Sequence, residues 1–210
     1  MILSEIKKRI LSSFILLPIS FYIIIEGDIL FNIFLISIFI LSIYELYRFK
    51  INNFFTFLFT IYLTISFYSI FSFRNTNDES ALLYFLIVII ICIGTDIGGF
   101  LFGKVLKGPK ITKISPNKTY TGFIGSYILS ILFILIFFII QNRNDFITLS
   151  FLLKLIIIST ISQLGDLFIS FLKRKAKIKD TGSIIPGHGG VLDRIDGMIF
   201  AFPASYLIFY

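Results

Sequence analysis

Charge is what this chain has least of. Only 15% of its residues are Asp, Glu, Lys or Arg, against 57% hydrophobic residues and a mean hydropathy of +0.95. That balance excludes an ordinary soluble domain and indicates a polytopic membrane protein. A single cysteine, Cys92, excludes an intramolecular disulfide, and its apolar run makes it a small core residue. A single histidine, His188, excludes a histidine-built metal site, and no zinc-type Cys/His cluster is present. No Ser-His-acid hydrolase arrangement stands out, and no Gly-x-x-x-x-Gly-Lys-Ser/Thr phosphate loop occurs. Short-period repeats and Pro/Ser-rich linkers are also missing, so residues 1–210 read as one membrane-embedded domain.

What is there is long apolar sequence. A span needs about 20 mostly apolar residues, and seven candidates fit, near 10–25, 29–47, 54–73, 81–103, 123–140, 147–172 and 191–208. The expected fold is therefore all-α, a membrane helical bundle of about seven transmembrane helices. The sixth candidate contains Lys154, Gly165 and Asp166 and reads as one tilted helix or a broken one. The basic start followed by an apolar run also describes a signal peptide. Glu26-Gly27-Asp28 follows instead of a small-residue cleavage site, so an uncleaved first span is expected.

Alternating the loops sorts the cations onto one side. Lys7, Lys8 and Arg9 share it with Arg48 and Lys50, with the lysines from Lys104 to Lys118, and with the run from Lys173 to Lys179. The opposite loops hold only Arg74 and Arg143, together with Glu26, Asp28, Asp78, Glu79 and Asp145. By the positive-inside rule the N-terminus and the basic loops are expected to be cytoplasmic. Cations in such short membrane-side loops need no nucleic-acid partner.

Ionisable residues inside spans are costly, so each is a functional candidate. Asp96 sits in Gly94-Thr95-Asp96-Ile97-Gly98-Gly99, where helix packing and function are equally good explanations; Gly99 and Gly103 form a small-xxx-small pair suited to helix contact. Asp166, Ser170, Lys173 and Arg174 are spaced four, seven and eight residues apart, along one helix face. That face resembles a surface for a metal and phosphates; cations snorkelling at a helix end explain Lys173 and Arg174 well, but explain the deeper Asp166 poorly. Asp193 and Asp196 are expected within the first turn of the next helix, where they could cap it or bind a hard cation through oxygen. Arg194 between them is a fork donor for phosphate or carboxylate. His188 lies among Gly187, Gly189 and Gly190, and such turns can present N–H groups to phosphate oxygens. The loop from Lys107 to Gly122 adds Ser115-Pro116-Asn117-Lys118-Thr119, a rigid turn carrying one cation among hydroxyls.

At these residues the chain resembles the phosphatidate cytidylyltransferases, also called CDP-diacylglycerol synthases. The C-terminal signature of that family is matched by Ser170, Lys173, Arg174, Lys179, Asp180, Gly182, Pro186, His188, Gly189, Gly190, Asp193, Arg194 and Asp196. The Asp96 segment with Phe102-Gly103-Lys104, the Ser115–Thr119 loop, Gly165-Asp166 and Tyr44-Glu45-Leu46 extend the likeness in family order. Thr121 stands where the family usually has an acid, and the chain is shorter than many members.

The resemblance implies a magnesium-dependent reaction at the inner membrane: CTP plus phosphatidate gives CDP-diacylglycerol and pyrophosphate. A second, monovalent cation is an option, and a homodimer is implied. The expected catalytic residues are Asp166, Asp193, Lys173 and Arg174. The metal is assigned to Asp166 and Asp193, with Asp196 as an additional ligand or orienter. Ser170, Lys118, Ser115, Thr119, His188, Arg194 and Asp96 are the expected substrate contacts. Three alternatives stay open at this point: a CTP-dependent enzyme for another lipid phosphate, a non-enzymatic lipid transporter or scramblase, and a non-catalytic relative.

Overall fold

The computed structural model describes residues 2–76, 78, 80–112, 114–143, 145, 147–185, 187 and 189–210, with side chains at Ser12 and from Phe14 onward. The expectations placed on Glu79, Lys113, Pro186 and His188, and on the side chains of Lys7, Lys8 and Arg9, lie outside the described residues. The elements are α1 (Ile2–Glu26), α2 (Asp28–Arg48), α3 (Asn53–Asn75), α4 (Ala81–Leu106), α5 (Tyr120–Ile140), α6 (Leu149–Lys175), the single turn α7 (Leu192–Ile195) and α8 (Met198–Phe209). Seven of these exceed one turn, as expected. By length and composition α2, α3, α4, α5 and α6 can each cross a membrane, and a shorter apolar stretch, Phe14–Glu26, lies in α1. The protein is an integral membrane helical bundle.

Two expectations are refined. The region 147–172 is one continuous helix, α6, and is not broken at Gly165. The stretch 191–208 is not one span: it divides at Asp196 and Gly197 into α7 and α8. The Gly197 N–H donates to Asp196 Oδ1 at 2.8 Å, a local bond that competes with the helical ladder. A Cβ on Gly197 would lie 2.4 Å from Ser162 Oγ, so the chain passes close against α6 at the break. At about 1.5 Å per residue, α8 alone rises about 18 Å, short of a hydrocarbon core of about 30 Å.

The chain forms two compact units. Residues 1–82 and 172–195 make the first, and residues 83–171 and 196–210 make the second. In the first, α2 and α3 bury Phe31, Leu35 and Leu46 together with Phe59, Leu63, Phe67 and Phe73. The end of α1 is tied down by Arg74, whose guanidinium donates to the Ile24 and Ile25 carbonyls at 3.0 Å each. Those carbonyls have no partner inside the helix, which is why a cation is useful there.

In the second unit, α4 packs closely on α5. A Cβ on Gly98 would lie 2.4 Å from the Gly125 carbonyl oxygen, and one on Gly94 would lie 2.6 Å from Ser130 Cα. Gly99 and Gly103 face Ser126, Gly122 and Thr119, the contact expected of their spacing. Lipid gives apolar side chains little reason to leave it, so small residues and interhelical hydrogen bonds hold such helices together. Ser126 Oγ donates to the Thr95 carbonyl at 2.7 Å, the Thr95 and Ser159 hydroxyls pair at 2.8 Å, and the Tyr127 and Thr160 hydroxyls pair at 2.9 Å.

Candidate active site

Helix α6 carries chemistry in both units. Asp166 and Ser170 lie in the part belonging to the second unit; Lys173, Arg174 and Lys175 open the part belonging to the first. The helix ends in a left-handed residue, Lys177 at φ 57°, with Lys177 N–H donating to the Arg174 carbonyl and Ile178 N–H to the Lys173 carbonyl, both at 3.0 Å. This double closure satisfies the last carbonyls and turns the chain sharply.

In the second unit the structure brings Lys118 and Asp166 together. The Lys118 ammonium forms an ion pair with Asp166 Oδ2, and their side chains are 24% and 28% accessible. Ser170 Oγ points at Asp166 Oδ1 from 3.5 Å, and Ser170 is buried. Lys118 is held in place by its loop, whose backbone closes through Ile111 N–H to the Lys118 carbonyl and Tyr120 N–H to the Pro109 carbonyl. Thr119 is the cap of α5, accepting from the Gly122 N–H at 3.1 Å. Ser115 accepts the Lys118 N–H at its carbonyl, so Ser115 and Thr119 both shape the turn that carries the cation. Thr121 Oγ1 accepts the Gly108 N–H at 3.2 Å and lies 3.0 Å from the Thr119 hydroxyl, a structural use of the hydroxyl at that position. Asp96 is accessible on α4.

In the first unit Asp193 is the centre of a tight knot. Its Oδ1 accepts from the Lys173 ammonium at 2.8 Å. Its Oδ2 accepts from the Thr181 N–H at 2.8 Å, the Thr181 hydroxyl at 3.0 Å and the Gly190 N–H at 3.1 Å. Burial pushes this carboxyl up, but the Lys173 ammonium and the two N–H donors outweigh it and hold it below its ordinary value. Arg174 and Arg194 are accessible, and Arg174 Nη1 lies 3.4 Å from the Ile178 carbonyl.

Two sequence expectations change here. Asp196 does not share a helical turn with Asp193, because α7 stops at Ile195 and Asp196 opens the break before α8. The Gly190 N–H faces the Asp193 carboxylate, so it is not presented to a phosphate.

The sequence reading also passed over Glu45 as a site residue. It is completely buried near the end of α2. Its Oε1 accepts from the Val191 N–H at 2.8 Å, and its Oε2 from the Leu192 N–H and the Thr181 hydroxyl, each at 2.9 Å. The rule that singled out Asp96 and Asp166, an acid inside a span, applies to Glu45 as well.

The fold and these clusters define a polytopic membrane protein with lysine–carboxylate pairs beside glycine-rich turns. Residues 50–210 match the Cytidylyltransferase family. The chain is 37% identical over 171 residues to a phosphatidate cytidylyltransferase of Bacillus subtilis (strain 168), covering 77% of this chain and 62% of that protein. It is 40% identical over 145 residues to the phosphatidate cytidylyltransferase of Staphylococcus haemolyticus (strain JCSC1435), covering 68% of this chain and 53% of the relative. It is 35% identical over 213 residues to the phosphatidate cytidylyltransferase of Rickettsia felis (strain ATCC VR-1525 / URRWXCal2), covering 97% of this chain and 92% of the relative. The chain belongs to the cytidylyltransferase family.

Proposed function

We propose that this protein is a phosphatidate cytidylyltransferase, transferring CMP from CTP to phosphatidate to give CDP-diacylglycerol and pyrophosphate. The observation that carries this reading is the family match over residues 50–210, which includes both lysine–carboxylate pairs, Lys118–Asp166 and Lys173–Asp193. The near full-length likeness to the Rickettsia protein supports it. The site would face the cytoplasm at the inner membrane, which the one-sided placement of the cations supports. A homodimer belongs to the same proposal, as the resemblance implies.

The chemistry suits the residues. A phosphatidate oxygen attacks the α-phosphorus of CTP in line, and negative charge builds on the departing pyrophosphate. Positioned cations stabilise that charge most effectively in a water-poor site. Lys118, Lys173, Arg174 and Arg194 supply them, and the ion pairs with Asp166 and Asp193 hold two of the four in place before substrate arrives. The Ser170 hydroxyl is within reach of the Asp166 carboxylate and orients it. No general base is required, because a phosphate monoester is largely ionised near neutral pH.

Magnesium is part of the proposal, assigned to Asp166, Asp193 and Asp196. Among the described residues no group of three or more His, Cys, Asp or Glu side chains forms a ready cage. A site with few protein carboxylates completed by substrate phosphates is how magnesium is commonly held beside nucleotides. Asp166 fits that role, being partly accessible with one lysine as its neighbour. Asp193 can offer only Oδ1, after Lys173 turns away, because Oδ2 already takes three donors. Bound magnesium supplies further neutralisation of the triphosphate.

The test is purified protein with phosphatidate and labelled CTP, with and without magnesium. Magnesium-dependent CDP-diacylglycerol and equimolar pyrophosphate are expected. Label appearing only on a different lipid phosphate would replace the substrate assignment, and lipid movement without pyrophosphate would end the enzymatic reading. Near-normal turnover in both Asp166→Asn and Asp193→Asn across a magnesium titration would remove the metal assignment.

A further inference from the structure

We infer that Glu45 is a positioning residue, holding the Asp193–Lys173 pair in its working place from a different helix. The inference rests on the proposed cytidylyl transfer and adds a residue to it. A carboxylate that is completely buried is costly unless its oxygens are met by donors. Among the described residues Glu45 meets that condition through the segment that carries Asp193. Two of its donors are the N–H groups of Val191 and Leu192, and the third is the Thr181 hydroxyl.

Thr181 links the two acids directly. Its hydroxyl oxygen lies 2.9 Å from Glu45 Oε2 and 3.0 Å from Asp193 Oδ2, while its N–H donates to Asp193 Oδ2. One hydroxyl hydrogen therefore serves two carboxylate oxygens, and moving either acid disturbs the other. The glycines show how tightly the segment is drawn in. A Cβ on Gly182 would lie 2.7 Å from Glu45 Oε1, and one on Gly189 would lie 2.9 Å from Asp193 Oδ2. Asp193 in turn fixes the Lys173 ammonium. Glu45 thus reaches a proposed phosphate-binding cation through three hydrogen-bonded steps.

The effect belongs on turnover more than on phosphatidate binding, because Glu45 is buried and its bonds go to the protein. Loss of groups that orient a reactive site commonly costs about 10- to 100-fold. Glu45→Gln replaces one accepting oxygen with an amide that faces N–H donors. We expect kcat to fall about 10- to 100-fold, with KM for phosphatidate within about twofold. Thr181→Val should lower kcat similarly, Thr181→Ser should restore it, and Glu45→Gln/Thr181→Val should be little worse than either alone. Hydrogen exchange of the ligand-free protein gives a second readout: the Val191 and Leu192 amides should exchange faster in Glu45→Gln, while those of α4 and α5 stay unchanged. Wild-type protein with no cytidylyl transfer would refute the functional reading. An active wild type with unchanged kcat and unchanged exchange in Glu45→Gln would refute the inference. A uniform rise in exchange across all helices, with kcat per folded molecule preserved, would overturn it in favour of a general folding role.

Discussion

Replacing Gly190 with alanine adds one methyl group at the most crowded point of the first unit. Its Cβ would lie 2.0 Å from Thr181 Oγ1 and 2.5 and 2.6 Å from the two Glu45 oxygens. Ordinary contacts need more than 3 Å, so the turn or the carboxylate must move by about 1 Å. Glu45 has no empty side to move into, since it is completely buried and both oxygens are engaged. Overpacking of this kind costs about 1–3 kcal/mol, and losing one hydrogen bond to a charged group adds about 1.5–3 kcal/mol. The sum, roughly 2.5–6 kcal/mol, falls on the local order of residues 180–195, because the membrane helices are held by other contacts. At about 1.4 kcal/mol per tenfold, a fall of at least about 60-fold in cytidylyl transfer is expected. The helix content in circular dichroism should stay unchanged. The control is Ser183→Ala in the same loop, which is accessible and should keep wild-type activity. Activity of Gly190→Ala within about threefold of wild type would mean that the carboxylate packing around this turn is wrong.

Lys118→Met should lower turnover by at least about 10-fold while shifting thermal unfolding by no more than a degree or two. Its partly accessible pair with Asp166 contributes about 1 kcal/mol or less to stability, so a large drop in melting temperature would refute a functional role. Acid should weaken the 180–195 segment through Asp193. A carboxyl whose folded value is lowered adds stability that is fully present above the ordinary carboxylate value and is lost as pH falls through the lowered one. Exchange at the Thr181 and Gly190 amides, corrected for intrinsic rates, should therefore be flat from pH 7 to about 5 and rise below about 4; Asp193→Asn should abolish that rise. Gly98→Val should cut the yield of folded protein severely, since even a Cβ meets the Gly125 carbonyl at 2.4 Å. Recovery of monodisperse Gly98→Val at wild-type yield would argue against the close α4–α5 contact.

Much of the scaffold was legible because lipid imposes a simple rule: long apolar runs become helices, and five of them are long enough to cross. The break at Asp196–Gly197 was not placed by hydropathy, which smooths over the charged residues of 193–196; at the break Gly197 lies close against Ser162 and its N–H bonds to Asp196. Spacing placed Asp166 and Ser170 on one face of α6, and they are indeed neighbours there. Spacing could not pair Lys118 with Asp166, because they stand 48 positions apart with a helix between them. Glu45 was the larger omission. Its partners are 136 to 147 residues away, so nothing local announces them. Its charge, set inside an apolar helix, and the family likeness of Tyr44-Glu45-Leu46 were the signals, and neither named its partners.

The glycine turn also bears on the proposed phosphate binding. Glycines beside a basic run suggested backbone N–H groups cradling an anion. In the folded chain the N–H groups of Thr181, Gly190, Val191 and Leu192 point instead at the protein's own carboxylates, Asp193 and Glu45. An anion brought to these four donors would have to displace a carboxylate that is already desolvated and paired, a net loss. The glycines are there to let backbone approach acid, as the short distances from Gly182, Gly189 and Gly190 show. In the proposed reaction, phosphate binding would then fall to side-chain cations. Of these, Lys173 is preset by the same Asp193 that the turn encloses. A phosphate that draws Lys173 toward itself leaves Asp193 Oδ1 uncovered, and that is the oxygen a divalent cation arriving with the nucleotide can use. Substrate and metal binding should therefore reinforce each other at Asp193, with removal of magnesium weakening nucleotide binding more in wild type than in Asp193→Asn. Equal magnesium dependence of CTP binding in the two proteins would refute this coupling.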